Sequence, residues 1–215
     1  MYRRFFKRFF DIFFAVLFIL ILSPLFILIS LILLLTSKGP VIFKQDRIGK
    51  GGKVFKIFKF RTMKVNSEHT GSGVYLEKND SRVTKFGKFL RATSLDEIPQ
   101  LFNILKGDMS FIGPRPPLTY HPWVYEEYTE EQKKMFNVRP GITGWAQVNG
   151  RKTVEWNKRI SLNVWYVEHL KFTLDVKILF LTVIRVFSNS DNLNKGATVS
   201  KEKDGAKSDK NGKEN

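Results

Sequence analysis

Residues 12–35 read IFFAVLFILILSPLFILISLILLL, a run without a single charge. It is long enough to cross the hydrocarbon core of a bilayer, which takes ~20 apolar residues. A cleaved secretory leader is not expected, on two counts. Its apolar core would be only ~7–15 residues long, and residues 35–38 (LTSK) offer no small-residue cleavage pattern. Ser23-Pro24 stands in the middle of the run. Proline removes an amide donor and crowds the preceding turn, at ~3 kcal/mol in a helix interior. Ser23 can bond backwards and help satisfy the freed carbonyls. Both flanks are basic: Arg3, Arg4, Lys7 and Arg8 before the run, and Lys38, Lys44, Arg47, Lys50, Lys53, Lys56, Lys59 and Arg61 after it. Basic flanks prefer the cytoplasmic side, and a straight span cannot place both there. The expectation is a re-entrant helix broken at Ser23-Pro24. Phe5, Phe6, Phe9 and Phe10, interleaved with cations, suit the headgroup layer, where anionic lipid rewards each cation by ~1 kcal/mol.

Outward from this segment, the chain has 215 residues, 36 Lys+Arg against 20 Asp+Glu, and a formal charge of +16. That length holds one ordinary domain plus an appendage. The charge asks for a polyanionic partner: nucleic acid, anionic lipid or phosphorylated substrates. The interleaving of cations and aromatics could suit nucleic acid, but its place beside the apolar run favours lipid. With no cysteine, disulfides, thiolate-held zinc, iron–sulfur clusters and thiol catalysis are excluded. There is no phosphate-loop motif G-x-x-x-x-G-K-[ST] and no H-E-x-x-H. His69, His121 and His169 lack ligand spacing.

The remaining pattern predicts an α+β, mostly helical fold. Residues 41–45 and 54–60 read as two strands of a small hairpin around Gly49–Gly52. Residues 66–79 read as a loop, 84–91 as a short helix, and 94–105 as a helix with the stripe Leu95, Ile98, Leu101, Phe102, Leu105, ended by Gly107. Stiff Pro/Gly loops follow at 113–117 and 139–144. Residues 118–137, 154–169 and 174–187 read as mostly helical, and the last of these as amphipathic, packed on the core or lying in the interface. Three segments are expected: 1–36 as the membrane helix, 37–187 as a compact cytoplasmic catalytic domain, and 188–215 as a disordered polar tail.

The candidate site is Ser94-Leu95-Asp96-Glu97, at the start of the predicted helix. Two readings stand side by side. S-x-x-E is a capping box, in which Ser94 and Glu97 bond each other's amides while Asp96 complements the helix dipole. The same helix start would attract phosphate. There one carboxylate could attack a phosphoryl centre to give an acyl phosphate while its neighbour holds Mg²⁺, and helix geometry leaves open which of Asp96 and Glu97 takes which role. Phosphoryl transfer also needs cations, best as bidentate arginine. Arg91, Arg115, Arg139 and Arg151 lie in or beside the rigid loops and this helix pair.

At these residues the chain resembles the bacterial sugar transferases that initiate glycoconjugate synthesis, the monotopic polyprenyl-phosphate phosphoglycosyl transferases, and among them the small PglC-like members. The stretches that carry the resemblance are KRFFD (7–11), SP (23–24), PVIFKQDRIG (40–49), FKFRTM (58–63), SLDEIPQL (94–101), KGDMSFIGPRP (106–116) and VRPGITGWAQVNGR (138–151). They run in order over roughly residues 5–187. The resemblance implies that Asp96 attacks the β-phosphorus of a UDP-sugar, releases UMP and passes the phosphosugar to polyprenyl (undecaprenyl) phosphate. It implies that Glu97 holds Mg²⁺ and that Lys59, Arg91, Arg115, Arg139 and Arg151 serve phosphate groups. It also implies a monotopic enzyme on the cytoplasmic face of the bacterial plasma membrane, working beside downstream glycosyltransferases. In one place the chain departs from the pattern: where such proteins usually read L-D-x-Y-Y-V, it has LNVWYV (162–167), with Asn163 for a carboxylate. An inactive membrane-anchored scaffold is the alternative reading.

Overall fold

The computed structural model describes residues 1–65, 67, 80–149 and 155–188. The expected loop at 66–79, Arg151 and the tail beyond residue 188 lie mostly or wholly outside them. The fold is mostly helical, with two small sheets.

Helix α1 runs unbroken over Lys7–Thr36, with Pro24 inside it. The expected break is absent as an interruption, for a local reason. Pro24 cannot donate to the carbonyl of Leu20, and Ser23 Oγ donates to that carbonyl instead, at 2.8 Å. One stripe of α1 faces the body: Asp11 and Ala15, then Ile29 and Leu33, are buried, with Ile19, Leu22, Leu25 and Phe26 packed between. The other faces carry bare apolar side chains such as Phe13, Leu20 and Leu35. A helix apolar all round but buried on one stripe needs an apolar medium for the rest.

Polar bonds hold both ends of α1 to the body. At the start, Arg8 donates to the carbonyls of Ile104 and Leu105. Asp11 accepts from Ser110 Oγ and the Phe111 amide, both at 3.0 Å. Asp175 accepts from Lys7, Tyr2 and Tyr166 at 2.6, 2.6 and 2.7 Å. At the far end, buried Arg61 donates to the carbonyls of Pro40 and Ser37, satisfying a carbonyl left open at the helix terminus.

Strands β1 (Ile42–Ile48) and β2 (Val54–Phe60) form the antiparallel hairpin, with Ile42 opposite Phe60 and Ile48 opposite Val54. Helix α2 (Lys85–Ala92), capped by Thr84 Oγ1 on the Gly87 amide, docks against the exit of β2. A Cβ on Gly87 would come within 2.1 Å of the Thr62 carbonyl, so only glycine permits this approach. The predicted helix over 94–105 is divided. A 3₁₀ turn covers Leu95–Glu97, and α3 covers only Gln100–Lys106. Pro99 has no N–H to continue the ladder. Asn103 of α3 is fully buried. Its amide side chain pairs with the edge of β2, accepting from Phe58 N at 2.9 Å and donating to Lys56 O at 2.8 Å.

Residues 139–144, expected as a plain loop, contain β4 (Gly141–Thr143), which pairs in parallel with β3 (Ser110–Ile112). The strand was hidden because it is three residues long and begins with glycine: a Cβ on Gly141 would lie 2.1 Å from Gly113 N. Residues 118–137 are far less helical than expected. They hold α4 (Glu130–Lys133) and two 3₁₀ turns, Tyr125–Glu127 and Lys134–Asn137. Helices α5 (Trp145–Asn149), α6 (Trp156–Glu168) and α7 (Phe172–Ser188) complete the body. Leu174 and Ile178 of α7 are buried, whereas Phe172, Val176, Leu179, Phe180 and Val183 are exposed. Phe172 meets Tyr2 and Phe10 ring to ring, so the bare faces of α7 and α1 are continuous.

Candidate active site

The capping box is not formed. Ser94 sits in the left-handed region at φ +57°, and its side chain makes no cap bond. Such a backbone costs ~1–3 kcal/mol in a non-glycine residue and persists only where the surroundings over-determine it. Its effect is to swing Leu95-Asp96-Glu97 into a tight turn whose two carboxylates face β2 and the loop after β3.

Lys59 is the hinge of the site. Its Nζ lies 2.6 Å from Glu97 Oε1 and 3.9 Å from Asp96 Oδ2. Arg115, from the Gly113–Pro117 loop, brings Nη2 to 3.6 Å from the same Glu97 oxygen. Arg91, on α2, is anchored by its Nε on Thr62 Oγ1 at 2.7 Å, while its buried Nη1 has no hydrogen-bond partner among the described residues. Among the described residues no hydrogen bond is donated to the Asp96 carboxylate, although Asp96 is only 8% exposed.

The two acids are therefore driven apart. Burial raises the Asp96 pKa above the ordinary carboxylate range; Lys59 opposes this and the Glu97 charge adds to it. For Glu97 burial also pushes upward, but Lys59 and Arg115 outweigh it and bring the pKa to about 2. Adjacent carboxylates with opposed shifts mark two different roles.

Five of the expected residues, Asp96, Glu97, Lys59, Arg91 and Arg115, thus converge. Arg139 does not join them. Its Nε donates to Gly107 O at 2.8 Å, at the opposite end of α3 from Asp96. Arg151 lies outside the described residues, and Ser23 and Pro24 sit midway along α1. Thr62 is the member the sequence did not single out. It lies inside the quoted FKFRTM stretch, but no spacing marks its hydroxyl as the rest for Arg91.

Among the described residues no group of three or more acids or histidines is gathered for a metal. The pair still fits Mg²⁺, which usually takes one or two carboxylates and completes its shell with water and substrate phosphate. Glu97 is the suited donor, being ionised over the whole physiological range.

A family model described as bacterial sugar transferase matches residues 2–189. A UDP-glucose:undecaprenyl-phosphate glucose-1-phosphate transferase from Xanthomonas campestris pv. campestris is 45% identical over 170 residues, 77% of this chain and 35% of that protein. A Bacillus subtilis (strain 168) protein named uncharacterized sugar transferase EpsL is 50% identical over 149 residues, 69% of this chain and 70% of that one. A UDP-N-acetylgalactosamine-undecaprenyl-phosphate N-acetylgalactosaminephosphotransferase from Aeromonas hydrophila is 42% identical over 182 residues, 83% of this chain and 43% of that protein. The chain thus spans less than half the length of the relatives named for a defined sugar.

Proposed function

The chain belongs to the bacterial sugar transferase family, and from that premise we propose that it transfers a sugar phosphate from a UDP-sugar to a polyprenyl phosphate. The single observation that carries the reading is Asp96: a buried carboxylate that accepts no hydrogen bond among the described residues, faced by Lys59, Arg91 and Arg115. Its oxygen attacks the β-phosphorus of the donor. The bond from that phosphorus to the bridging oxygen breaks, and UMP leaves with the electron pair. The phosphosugar stays on Asp96 as an acyl phosphate. A phosphate oxygen of the polyprenyl acceptor then attacks the same phosphorus and frees the carboxylate, giving polyprenyl-diphosphate-sugar.

Three residues orient and neutralise. Arg91 offers its Nη1, without a partner among the described residues, to a phosphate oxygen while Thr62 fixes its plane. Lys59 keeps Glu97 ionised and stands beside the attacking carboxylate. Arg115 reaches in from solvent. Glu97 would hold Mg²⁺, which when bound would help neutralise charge developing on phosphate oxygens. Arg139 and Arg151 remain expected phosphate-binding residues from the resemblance alone.

The same reading puts α1 in the membrane without crossing it, as a re-entrant segment with residues 37–187 forming a catalytic body on the cytoplasmic face. Support comes from the polar clamps at both ends of α1, which leave neither end free to lie on the opposite side of a bilayer. The bare faces of α1 and α7 would then share one lipid layer, and the polyprenyl phosphate would meet Asp96 at headgroup depth. Anionic headgroups would reward the basic body.

Acceptor-dependent nucleotide release tests the reaction. With Mg²⁺, undecaprenyl phosphate and a panel of UDP-sugars, the expected product is UMP, abolished in Asp96→Asn. Release of UDP would mean ordinary glycosyl transfer and refute the role of Asp96.

A further inference from the structure

The sugar of a UDP-sugar hangs on the phosphorus that Asp96 attacks, so the surface beside the acid pair is the first it meets. Strands β1 and β2 supply that surface. In an antiparallel ladder opposite residues point to one face, and residues two apart along a strand share it. Phe43 lies opposite Lys59, Gln45 opposite Ile57 and Arg47 opposite Phe55. Phe43, Gln45 and Arg47 therefore stand on the face that carries Lys59 to the acids.

The contacts on this face close into a ring. Lys59 Nζ meets Glu97 Oε1 at 2.6 Å, and Arg115 meets the same oxygen at 3.6 Å. Arg47 donates to the carbonyl of Pro116, the residue after Arg115, at 3.1 Å and to Gln45 Oε1 at 2.7 Å. From Gln45 the ring returns along β1 to Phe43 and across to Lys59. Arg47 thus serves as a brace, and two other groups on the ring stay unused. With Oε1 of Gln45 turned to Arg47, its Nε2 donates to nothing among the described residues. Phe43 is only partly exposed, yet it joins none of the buried apolar clusters.

The hairpin carries a second Lys–Phe pair for comparison. On the opposite face Lys44 stands across from Phe58, with its Nζ 5.8 Å from the ring centre. On the inner face Glu97 draws Lys59 away, and Phe43 makes no such contact with a cation or a second ring among the described residues. An open aromatic face beside a fixed amide donor, at the edge of a charged site, suits a ligand with one apolar face and several hydroxyls. A pyranose has both. The pyrimidine lies farther off, beyond a second phosphate and a ribose.

We propose that Phe43 and Gln45 form the sugar subsite: Phe43 takes the C–H face of the sugar ring, and Gln45 Nε2 donates to an oxygen on its rim. The inference rests on the proposed function and extends it to the part of the donor on which specificity depends.

The test uses the full chain in detergent with Mg²⁺, undecaprenyl phosphate and the same panel of UDP-sugars, and UMP affinity is measured separately by equilibrium dialysis. Phe43→Ser should raise KM for the best UDP-sugar about tenfold and leave UMP affinity unchanged, with Phe43→Tyr recovering most of the loss. Gln45→Leu should change the ratio of kcat/KM between panel sugars about tenfold, again with UMP affinity unchanged; general damage to the fold would lower all sugars together. An unchanged KM in Phe43→Ser, a loss of UMP affinity in step with KM, or an unchanged sugar ratio in Gln45→Leu would overturn the subsite and leave the proposed reaction standing. A wild type that releases no UMP from any sugar would overturn the reaction itself, and the subsite with it.

Discussion

Two buried pairs of acids lie in this molecule, and they are built on opposite plans. Asp11 and Asp175, at the junction of α1, β3, α6 and α7, are held by hydrogen bonds from the chain: Asp175 accepts three on its two oxygens, from Tyr2, Lys7 and Tyr166, and Asp11 accepts two on one oxygen, from Ser110 and Phe111. Asp96 and Glu97 have cations beside them but few bonds. Glu97 is held by Lys59; among the described residues Asp96 accepts nothing and a buried N–H of Arg91 has no acceptor. A closed cluster holds elements together. An open one holds charge ready for a group that arrives later. Burial alone does not separate them; the difference is whether donors and acceptors are used up within the chain.

The largest effect should come from exchanging the chemistry while keeping the shape. Asp96→Asn should lower UMP release by at least ~10³-fold with a melting temperature close to wild type, as judged by turnover and thermal unfolding in the same detergent. Asp175→Ala should do the reverse. It leaves Lys7 and two tyrosine hydroxyls buried without their acceptor, at ~3–5 kcal/mol, so thermal stability and yield should fall while activity per folded molecule is retained. Similar behaviour of the two variants would erase the distinction between the clusters.

Smaller effects sharpen the contrast. Thr62→Val removes the rest for Arg91 and should cost ~10-fold in kcat/KM, in line with a hydrogen bond to a charged group, with little change in unfolding. The acid limb of the pH–rate profile should belong to Asp96. Its pKa is raised, so activity should fall as pH drops through that value, because the protonated acid is no nucleophile. Glu97 stays ionised down to about 2. Its lowered pKa contributes stability that is present above the ordinary glutamate value and is lost only as pH falls from there toward 2. Glu97→Gln should therefore flatten stability against pH in that acid window. The smallest change expected is Ser94→Gly, which relieves the left-handed backbone and should stabilise by about 0.5–1 kcal/mol.

Much of this was legible from residue order. The apolar run, the hairpin and α2 follow from charge, alternation and capping, and four of the five site residues, Lys59, Asp96, Glu97 and Arg115, lie in motifs that can be quoted from the chain, with Arg91 just before one of them. What escaped was set by distant partners. Asn103 reads as a polar gap in a helical stripe, yet it completes the edge of β2. The helix over 94–105 looked continuous because its apolar spacing is right, and only the missing amide of Pro99 divides it. Ser94 and Glu97 match a capping box in spacing, but Lys59, 38 positions away in sequence, outcompetes the local amide for Glu97. Pro24 was expected to break α1, and a single hydroxyl on Ser23 repairs the ladder. Arg139 carries a motif position, but the fold assigns its Nε to the carbonyl of Gly107.

The covalent role of the open carboxylate is tested most directly by intact-protein mass. Protein is incubated with its best UDP-sugar and Mg²⁺, without lipid acceptor, then quenched and weighed. Covalent catalysis predicts one equivalent of UMP and a mass increase of one phosphosugar, mapped to the peptide holding Asp96, absent in Asp96→Asn and discharged by added polyprenyl phosphate. UMP released only when the acceptor is present, with the protein mass never changing, would contradict it.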